Sequence, residues 1–282
     1  MSTRGSGFPV LLLHGFAGSR GSWEELMEGV AEFSKAVAID LPGHAEAPLP
    51  KHSGEEGFFE VVDALAECIE GIEGPADVVG YSQGARLALA LALRHPQRIR
   101  RLVLESGTAG LDSEELRLKR REEDEAKAVL LEQQGVAAFM DAWKQLPLFA
   151  TQARLPLEKQ KALQQRRKAH SASGLAGALR CMGLGVQPHF WPLLSGLRLP
   201  VLLMSGEEDA KFSALAQQML CALPLAWHTL VPGCGHAVHL ESPQPWLKAV
   251  LGFLRAPESK MLDRFQFDMR SRRARIPRWE RT

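Results

Sequence analysis

A serine stands between two glycines in Gly80-Tyr81-Ser82-Gln83-Gly84, a G-x-S-x-G spacing suited to a turn so sharp that side chains at either glycine would clash. The run ADVV before it and RLALALAL after it predict a strand feeding a helix, which raises the hydroxyl above a sheet edge. The first N–H groups of that helix favour negative charge at the same place. Chemistry by such a serine requires a base, and the base requires an acid to orient it. Both types follow. Glu207, Glu208 and Asp209 end the predicted strand LPVLLMSG, and Asp209, farthest beyond its end, is the expected acid, with Glu207 as the alternative. His236 is the expected base because Gly233 and Gly235 let its loop reach over a sheet, whereas His239 stands in HLESP at the start of a terminal helix. The order serine, acid, histidine is that of strand-turn-helix serine enzymes.

An oxyanion hole is expected from the N–H of Gln83, next after the serine, and from the loop after the first predicted strand, LLLHGFAGS, where Phe16 is the natural second donor. His14 in that loop lacks a second histidine or carboxylate at ligand spacing and reads as a loop organiser; DLPGHAEAP reads as the turn after the next strand. No metal site is expected. Cys68, Cys181, Cys221 and Cys234 form no CxxC pair, so they are expected to be reduced thiols and not a zinc knuckle or disulfide framework.

Arg86 follows Ser82 by four residues, which puts it on the same face of the elbow helix one turn along. A guanidinium there calls for an anion. A carboxylate-bearing substrate would supply one, and a buried acid of the protein itself is the other way to satisfy it.

The elements that must position these residues alternate. PVLLLHG, AVAIDLPGH, ADVVGYS, IRRLVLESG and RLPVLLMSGEED read as strands, and SWEELMEGVAEF, GFFEVVDALAECIEGI and LALALALRHP as helices between the first four. Strands buried on both faces and separated by helices imply an α/β fold with a mostly parallel sheet. From about Leu111 to Leu194 no strand is convincing, so residues 111–194 are expected to be a helical cap inserted in a core of 1–110 and 195–256. No internal repeat or linker appears.

The composition is that of a soluble globular protein: 45% hydrophobic and 24% charged over 282 residues, with no apolar run long enough for a bilayer. VLLLHGF is too short for a secretory signal, so a cytoplasmic protein without stable membrane insertion is expected. The net charge of +1 hides nine Lys or Arg against four acids from Arg255 onward. Residues 257–282 are therefore expected to be a poorly ordered, solvated basic tail, and nucleic acid is not an expected partner.

HGFAGS, DLPGH, GYSQGAR, SGEEDAKF and GCGHAVH together resemble the α/β-hydrolase superfamily from roughly Val10 to Leu254. GYSQGARLAL, RLKRREEDEAKA, FMDAWKQLPLFA, LGVQPHFWPLL and GEEDAKF are similar to one branch, the 2-succinyl-6-hydroxy-2,4-cyclohexadiene-1-carboxylate synthases (MenH family) of menaquinone biosynthesis. The resemblance implies the α/β-hydrolase fold and a lyase that eliminates pyruvate from a small polycarboxylate, Ser82 acting as base under His236 and Asp209, without metal or organic cofactor. It marks Arg120 and Arg167 in the cap as carboxylate ligands beside Arg86, with Arg121 and Arg166 leaving the register open by one. Tyr81, Trp143 and Phe149 are candidate pocket walls, although Trp143 and Phe149 would also serve as core. Ala85 stands where relatives commonly carry glycine, and the chain opens almost on its first predicted strand. Two other functions remain on the sequence alone: a serine hydrolase (carboxylesterase, thioesterase or C–C bond hydrolase) using the same triad, and a non-catalytic ligand-binding fold.

Overall fold

The computed structural model describes residues 1–257. The basic tail expected over 257–282 lies, apart from Pro257, outside the described residues. A seven-stranded sheet is built from β1 (Ser2–Arg4), β2 (Pro9–Leu13), β3 (Lys35–Ile39), β4 (Ala76–Tyr81), β5 (Ile99–Glu105), β6 (Val201–Gly206) and β7 (Ala226–Val231). Its spatial order is β1-β3-β2-β4-β5-β6-β7, with β1 antiparallel to β3 and every other pairing parallel. The strand Ser2–Arg4 escapes a sequence reading because three polar residues carry no hydrophobic alternation.

The nine helices among the described residues are α1 (Glu24–Ala31), α2 (Gly54–Gly71), α3 (Gln83–Arg94), α4 (Glu114–Trp143), α5 (Leu157–Lys168), α6 (Ala172–Met182), α7 (Ala210–Ala222), α8 (Val238–Glu241) and α9 (Pro243–Leu254). The terminal helix is thus two pieces, and His239 lies in the short α8, not at the start of α9. Alternate residues of β2 enter opposite cores. Leu11 and Leu13 join Phe58, Leu65 and Ile69 of α2 and Leu87 and Leu91 of α3. Val10 and Leu12 join Trp23, Leu26 and Val30 on one flank and Trp246 and Val250 of α9 on the other. Burial on both faces is what forces the near-continuous apolar strands seen in the sequence.

The strand order places a site. From β2 the chain crosses outward to β3, then returns past β2 to β4 and proceeds the other way, so the connections leaving β2 and β4 diverge and leave a crevice at the carboxyl ends of those strands. The loop at His14–Gly18 and the turn at Ser82 both open there. Helices α4, α5 and α6 and the 3-10 stretch Pro147–Arg154 lie between β5 and β6 in the chain. Helices α4 and α6 share a small core of their own, in which Leu131, Phe139 and Met140 meet Leu175 and Leu179. Ala17, from the loop after β2, belongs to that cluster and joins it to the sheet. Helix α4 bends at Gly135, whose φ of 79° and ψ of 164° are open to glycine alone.

Candidate active site

Ser82 adopts φ 51° and ψ −107° between β4 and α3, a conformation rare for a residue with a side chain. Both neighbouring glycines are needed for contact reasons. A Cβ on Gly80 would come 2.4 Å from the carbonyl oxygen of Gly84, and one on Gly84 would come 2.2 Å from that of Leu13. Ala85 packs against Gly107, where an added Cβ would meet the Ala85 methyl at 2.9 Å. The Ser82 N–H donates to the Glu105 carbonyl at 2.8 Å, which pins the turn to the end of β5.

Three residues whose outermost members are 154 positions apart meet above this turn. Ser82 Oγ lies 3.0 Å from His236 Nε2, and His236 Nδ1 lies 2.7 Å from Asp209 Oδ2. His236 and Asp209 are buried. A carboxylate so placed favours the imidazole proton on Nδ1, which leaves Nε2 free to act as an acceptor toward the serine hydroxyl. Asp209 Oδ1 also accepts from the Phe212 N–H at 3.2 Å, capping α7 and fixing the carboxylate's direction. The alternative acid, Glu207, turns instead to the Gly233 N–H, and Glu208 pairs with Arg154.

Further residues, among them Ser106, Glu105 and Trp246 that the sequence did not single out, hold His236 in place. Ser106 Oγ donates to the His236 carbonyl at 2.8 Å, and Glu241 accepts from the Gly235 N–H at 2.7 Å. His239 donates its Nδ1 proton to Glu105 Oε1 at 2.8 Å, and Trp246 Nε1 donates to the other oxygen at 2.9 Å. Tyr81 packs between His236 and His239, with ring centroids at 5.4 and 4.5 Å. Burial first, then the Glu105 carboxylate, pushes its phenol far above the usual range, so it stays neutral.

The loop carrying Phe16 is organised by three buried histidines, of which His14 alone was expected. The Leu41 N–H donates to His14 Nε2 at 3.0 Å, the Ala17 N–H to His44 Nε2 at 3.1 Å, and the Ala45 N–H to His170 Nδ1 at 2.9 Å. The opposite nitrogens face the carbonyls of Gly15, Pro42 and Ala17. All six ring nitrogens are engaged by backbone, which leaves none to ligate a metal. Desolvation is the first cause that lowers all three pKa values, that of His14 to about 4. This network ties the loop after β2 to that after β3 and, through His170, to the segment between α5 and α6.

A cavity of about 350 Å³ opens over Ser82 and His236, and Phe16 and Gln83 line it. The N–H of Gln83 belongs to the first turn of α3, where no intrahelical acceptor exists. Tyr81, Trp143 and Phe149 supply aromatic wall, and the Trp143 ring lies 5.3 Å from that of Phe16. Among the described residues the charged lining consists of Arg86, Arg120, Arg166, Arg167 and Lys211, with no carboxylate.

Among the described residues no carboxylate forms an ion pair with Arg86. Its Nη2 donates to the Met182 carbonyl at 2.7 Å and its Nη1 to Gln187 Oε1 at 3.2 Å. Burial, then the charge of Arg120, lowers its pKa. Arg120 faces the cavity and donates Nε to Asp124 at 2.8 Å, while Arg121 pairs with Glu114. Of the α4 pair, then, Arg120 is the one at the cavity; of the α5 pair, both Arg166 and Arg167 are. Arg167 stacks over Phe149 at 5.3 Å and donates to Gln152 at 3.1 Å.

Residues 10–249 match the model of the alpha/beta hydrolase family. A Bacillus subtilis (strain 168) protein named for 2-succinyl-6-hydroxy-2,4-cyclohexadiene-1-carboxylate synthase is 37% identical over 246 residues, covering 87% of this chain and 89% of that one. The synthase of that name from Escherichia coli O1:K1 is 30% identical over 251 residues, 88% of this chain and 95% of that one. Among solved structures, MenH from S. aureus superposes with a TM-score of 0.86 at 31% identity, over 90% of this chain and 97% of that one. A thermophilic esterase from Thermogutta terrifontis follows at TM-score 0.78 and 26% identity, over 90% and 92%. With that likeness spread over nearly the whole described chain, the protein belongs to the alpha/beta hydrolase family, on its 2-succinyl-6-hydroxy-2,4-cyclohexadiene-1-carboxylate synthase (MenH) branch.

Proposed function

We propose that this chain is a lyase of menaquinone biosynthesis that eliminates pyruvate from 2-succinyl-5-enolpyruvyl-6-hydroxy-3-cyclohexene-1-carboxylate to give 2-succinyl-6-hydroxy-2,4-cyclohexadiene-1-carboxylate. The observation that carries the reading is the Ser82–His236–Asp209 relay opening into a cavity whose charged lining is wholly cationic. A neutral ester gains nothing from such a lining, whereas a tricarboxylate is held by it. The relatives named for this synthase activity support the same choice.

In this reading Ser82 Oγ, its own proton passing to His236 Nε2, removes the ring C2 proton, which the neighbouring succinyl carbonyl acidifies. The C–H pair forms C2=C3, the C3=C4 pair moves to C4=C5, and the C5–O bond breaks. The departing enolpyruvate takes a proton at carbon and becomes pyruvate. The N–H groups of Phe16 and Gln83 stabilise the developing negative oxygen, and Arg86, Arg120 and Arg167 anchor carboxylates with Tyr81 and Trp143 as walls. Ser82 is a base and forms no acyl-enzyme. Base, oxyanion donors and anchors all come from this chain, so the reaction as written draws on no further group.

Residues 111–194 act as a cap over a core of 1–110 and 195–256, and the enzyme works in the cytoplasm. The test is pyruvate release from the precursor made in situ from isochorismate and 2-oxoglutarate by the preceding synthase. Release well above the spontaneous decay, lost in Ser82→Ala, supports the lyase. Release at the background rate, or a burst with an activated ester marking an acyl-enzyme, overturns it in favour of a hydrolase.

A further inference from the structure

Arg166 and Arg167 are consecutive in the last turn of α5. Successive helix residues project about 100° apart, so one of two neighbours ordinarily turns away from a given cavity. Here both line it. Among the described residues each is held by a single polar anchor: Arg166 Nη1 donates to the Gly21 carbonyl at 2.8 Å, and Arg167 Nη2 to Gln152 Oε1 at 3.1 Å. Each also keeps a buried N–H with no acceptor, Nε in Arg166 and Nη1 in Arg167. Arg167 is only 7% exposed.

No carboxylate among the described residues pairs with either arginine, although the next residue, Lys168, reaches Asp141 at 2.9 Å. Two adjacent guanidiniums repel, and desolvated N–H donors without acceptors are costly. Burial and the charge of Arg166 both lower the pKa of Arg167, with Tyr81 acting the other way. An anion between the two would relieve both costs. Arg86 and Arg120 form a different pair, seated on α3 and α4 and associated with Met182 and Asp124.

We propose that Arg166 joins Arg167 in a two-arginine receptor for one terminal carboxylate of the substrate, apart from the Arg86–Arg120 pair, and that Arg166 selects substrates whose arm ends in a carboxylate. This deepens the lyase reading and rests on it for the substrate. The consequence is specificity, because a neutral arm would leave the unpaired donors buried and unsatisfied. The bond to Gly21 orients the Arg166 fork from the 3-10 turn Arg20–Trp23 that follows the Phe16 segment.

The experiment pairs kinetics with binding. Steady-state pyruvate release and calorimetric binding of succinate, with butyrate as the monocarboxylate control, are measured for wild type, Arg166→Met and Arg166→Lys. Arg166→Met is expected to raise KM by about tenfold or more while kcat stays within about twofold, as for loss of an anchor used equally in ground and transition states. Succinate affinity should fall in parallel, butyrate should bind weakly throughout, and Arg166→Lys should recover part of the loss through charge without the fork. Unchanged KM and unchanged succinate affinity in Arg166→Met, with only a lower Tm, would show that the residue merely props α5 on Gly21 and would sink the proposal. If Arg166→Met does not fold, Arg166→Lys with wild-type KM and succinate affinity overturns the fork in the same way. Wild type that binds succinate in an Arg166-dependent manner but releases no pyruvate would keep the receptor and remove the lyase.

Discussion

Arg86 on the elbow helix reaches the C-terminal carbonyl of α6, with Nη2 2.7 Å from the Met182 oxygen. One guanidinium therefore both borders the cavity and fastens the inserted helices to the element that carries Ser82. Arg86→Met should lower kcat/KM for pyruvate release by about 30- to 1000-fold, the scale of losing a buried charge-assisted anchor. Arg86→Lys should recover little of it, since an ammonium cannot reach Met182 and Gln187 together with a carboxylate. A lysine variant at wild-type kcat/KM would reduce Arg86 to a point charge.

Ser82→Ala and His236→Ala should each reduce kcat by about 10³-fold or more, and the double variant should be no worse than the poorer single one, because the two act as a unit. Additive losses would mean that the 3.0 Å contact between them is not the proton path. The comparison is made on pyruvate release corrected for spontaneous decay.

The buried histidines predict acid sensitivity. His14 has its pKa lowered from 6.5 to about 4, so between those values the unfolded chain binds a proton that the folded chain refuses. Stability therefore falls as pH drops through that window, by roughly 3 kcal/mol for His14 alone once below both values. His44 and His170 shift in the same direction and steepen the slope. Urea unfolding of wild type and His14→Gln at pH 7 and pH 5 checks this: the variant should lose less between the two. The charged group beside the cluster is Asp40, held by Arg20.

Asp77 behaves in the opposite sense. Burial raises its pKa from 3.8 to about 6 in spite of its ion pair with Arg100, and its Oδ1 has no hydrogen-bond partner. The folded chain holds the proton more tightly, so the contribution is full below the unfolded pKa and is lost as pH rises through about 6. Asp77→Asn should be neutral or stabilising by about 1 kcal/mol at pH 7.5, because it removes a buried charge while Arg100 keeps solvent and the Leu254 carbonyl. A clear drop in Tm would show that the ion pair outweighs its desolvation.

Gly84→Ala has no room at all, with the new methyl 2.2 Å from the Leu13 oxygen in a packed strand. It should cost more than about 3 kcal/mol and yield little folded protein, whereas Ala85→Gly one residue along should cost only about 1 kcal/mol from helix propensity. Expression and thermal melts of the two side by side give the contrast.

Much of the site was legible because its signals are local. The elbow glycines, the acid at a strand end and the histidine in a Gly-rich loop each announce a turn, and each turn falls at the carboxyl end of a strand. The preference for Asp209 over Glu207 rested on reach alone, and Asp209 is the one of the two that lies beside His236. What stayed hidden are residues whose role depends on a distant partner. Glu105 looks like any strand end until His239 and Trp246 close on it; His44 and His170, 126 positions apart, meet only in the fold. No signal in the sequence distinguishes Ser106, and Glu241 showed only as part of HLESP.

The sequence by itself determined the alternation of strand and helix, the parallel sheet, the elbow and the candidate chemistry, because hydrophobic period and turn geometry act over a few residues. Tertiary structure decided what depends on meeting across the chain. It set which of two neighbouring arginines faces the cavity on α4, brought both to it on α5, and gave Arg86 carbonyls where a carboxylate partner was one of two expectations. Helical periodicity fixes a side chain's direction only relative to its own axis. Where that axis points over the sheet is fixed by the packing of α4 on α6 and by the histidines that tie the insertion to the loop after β2.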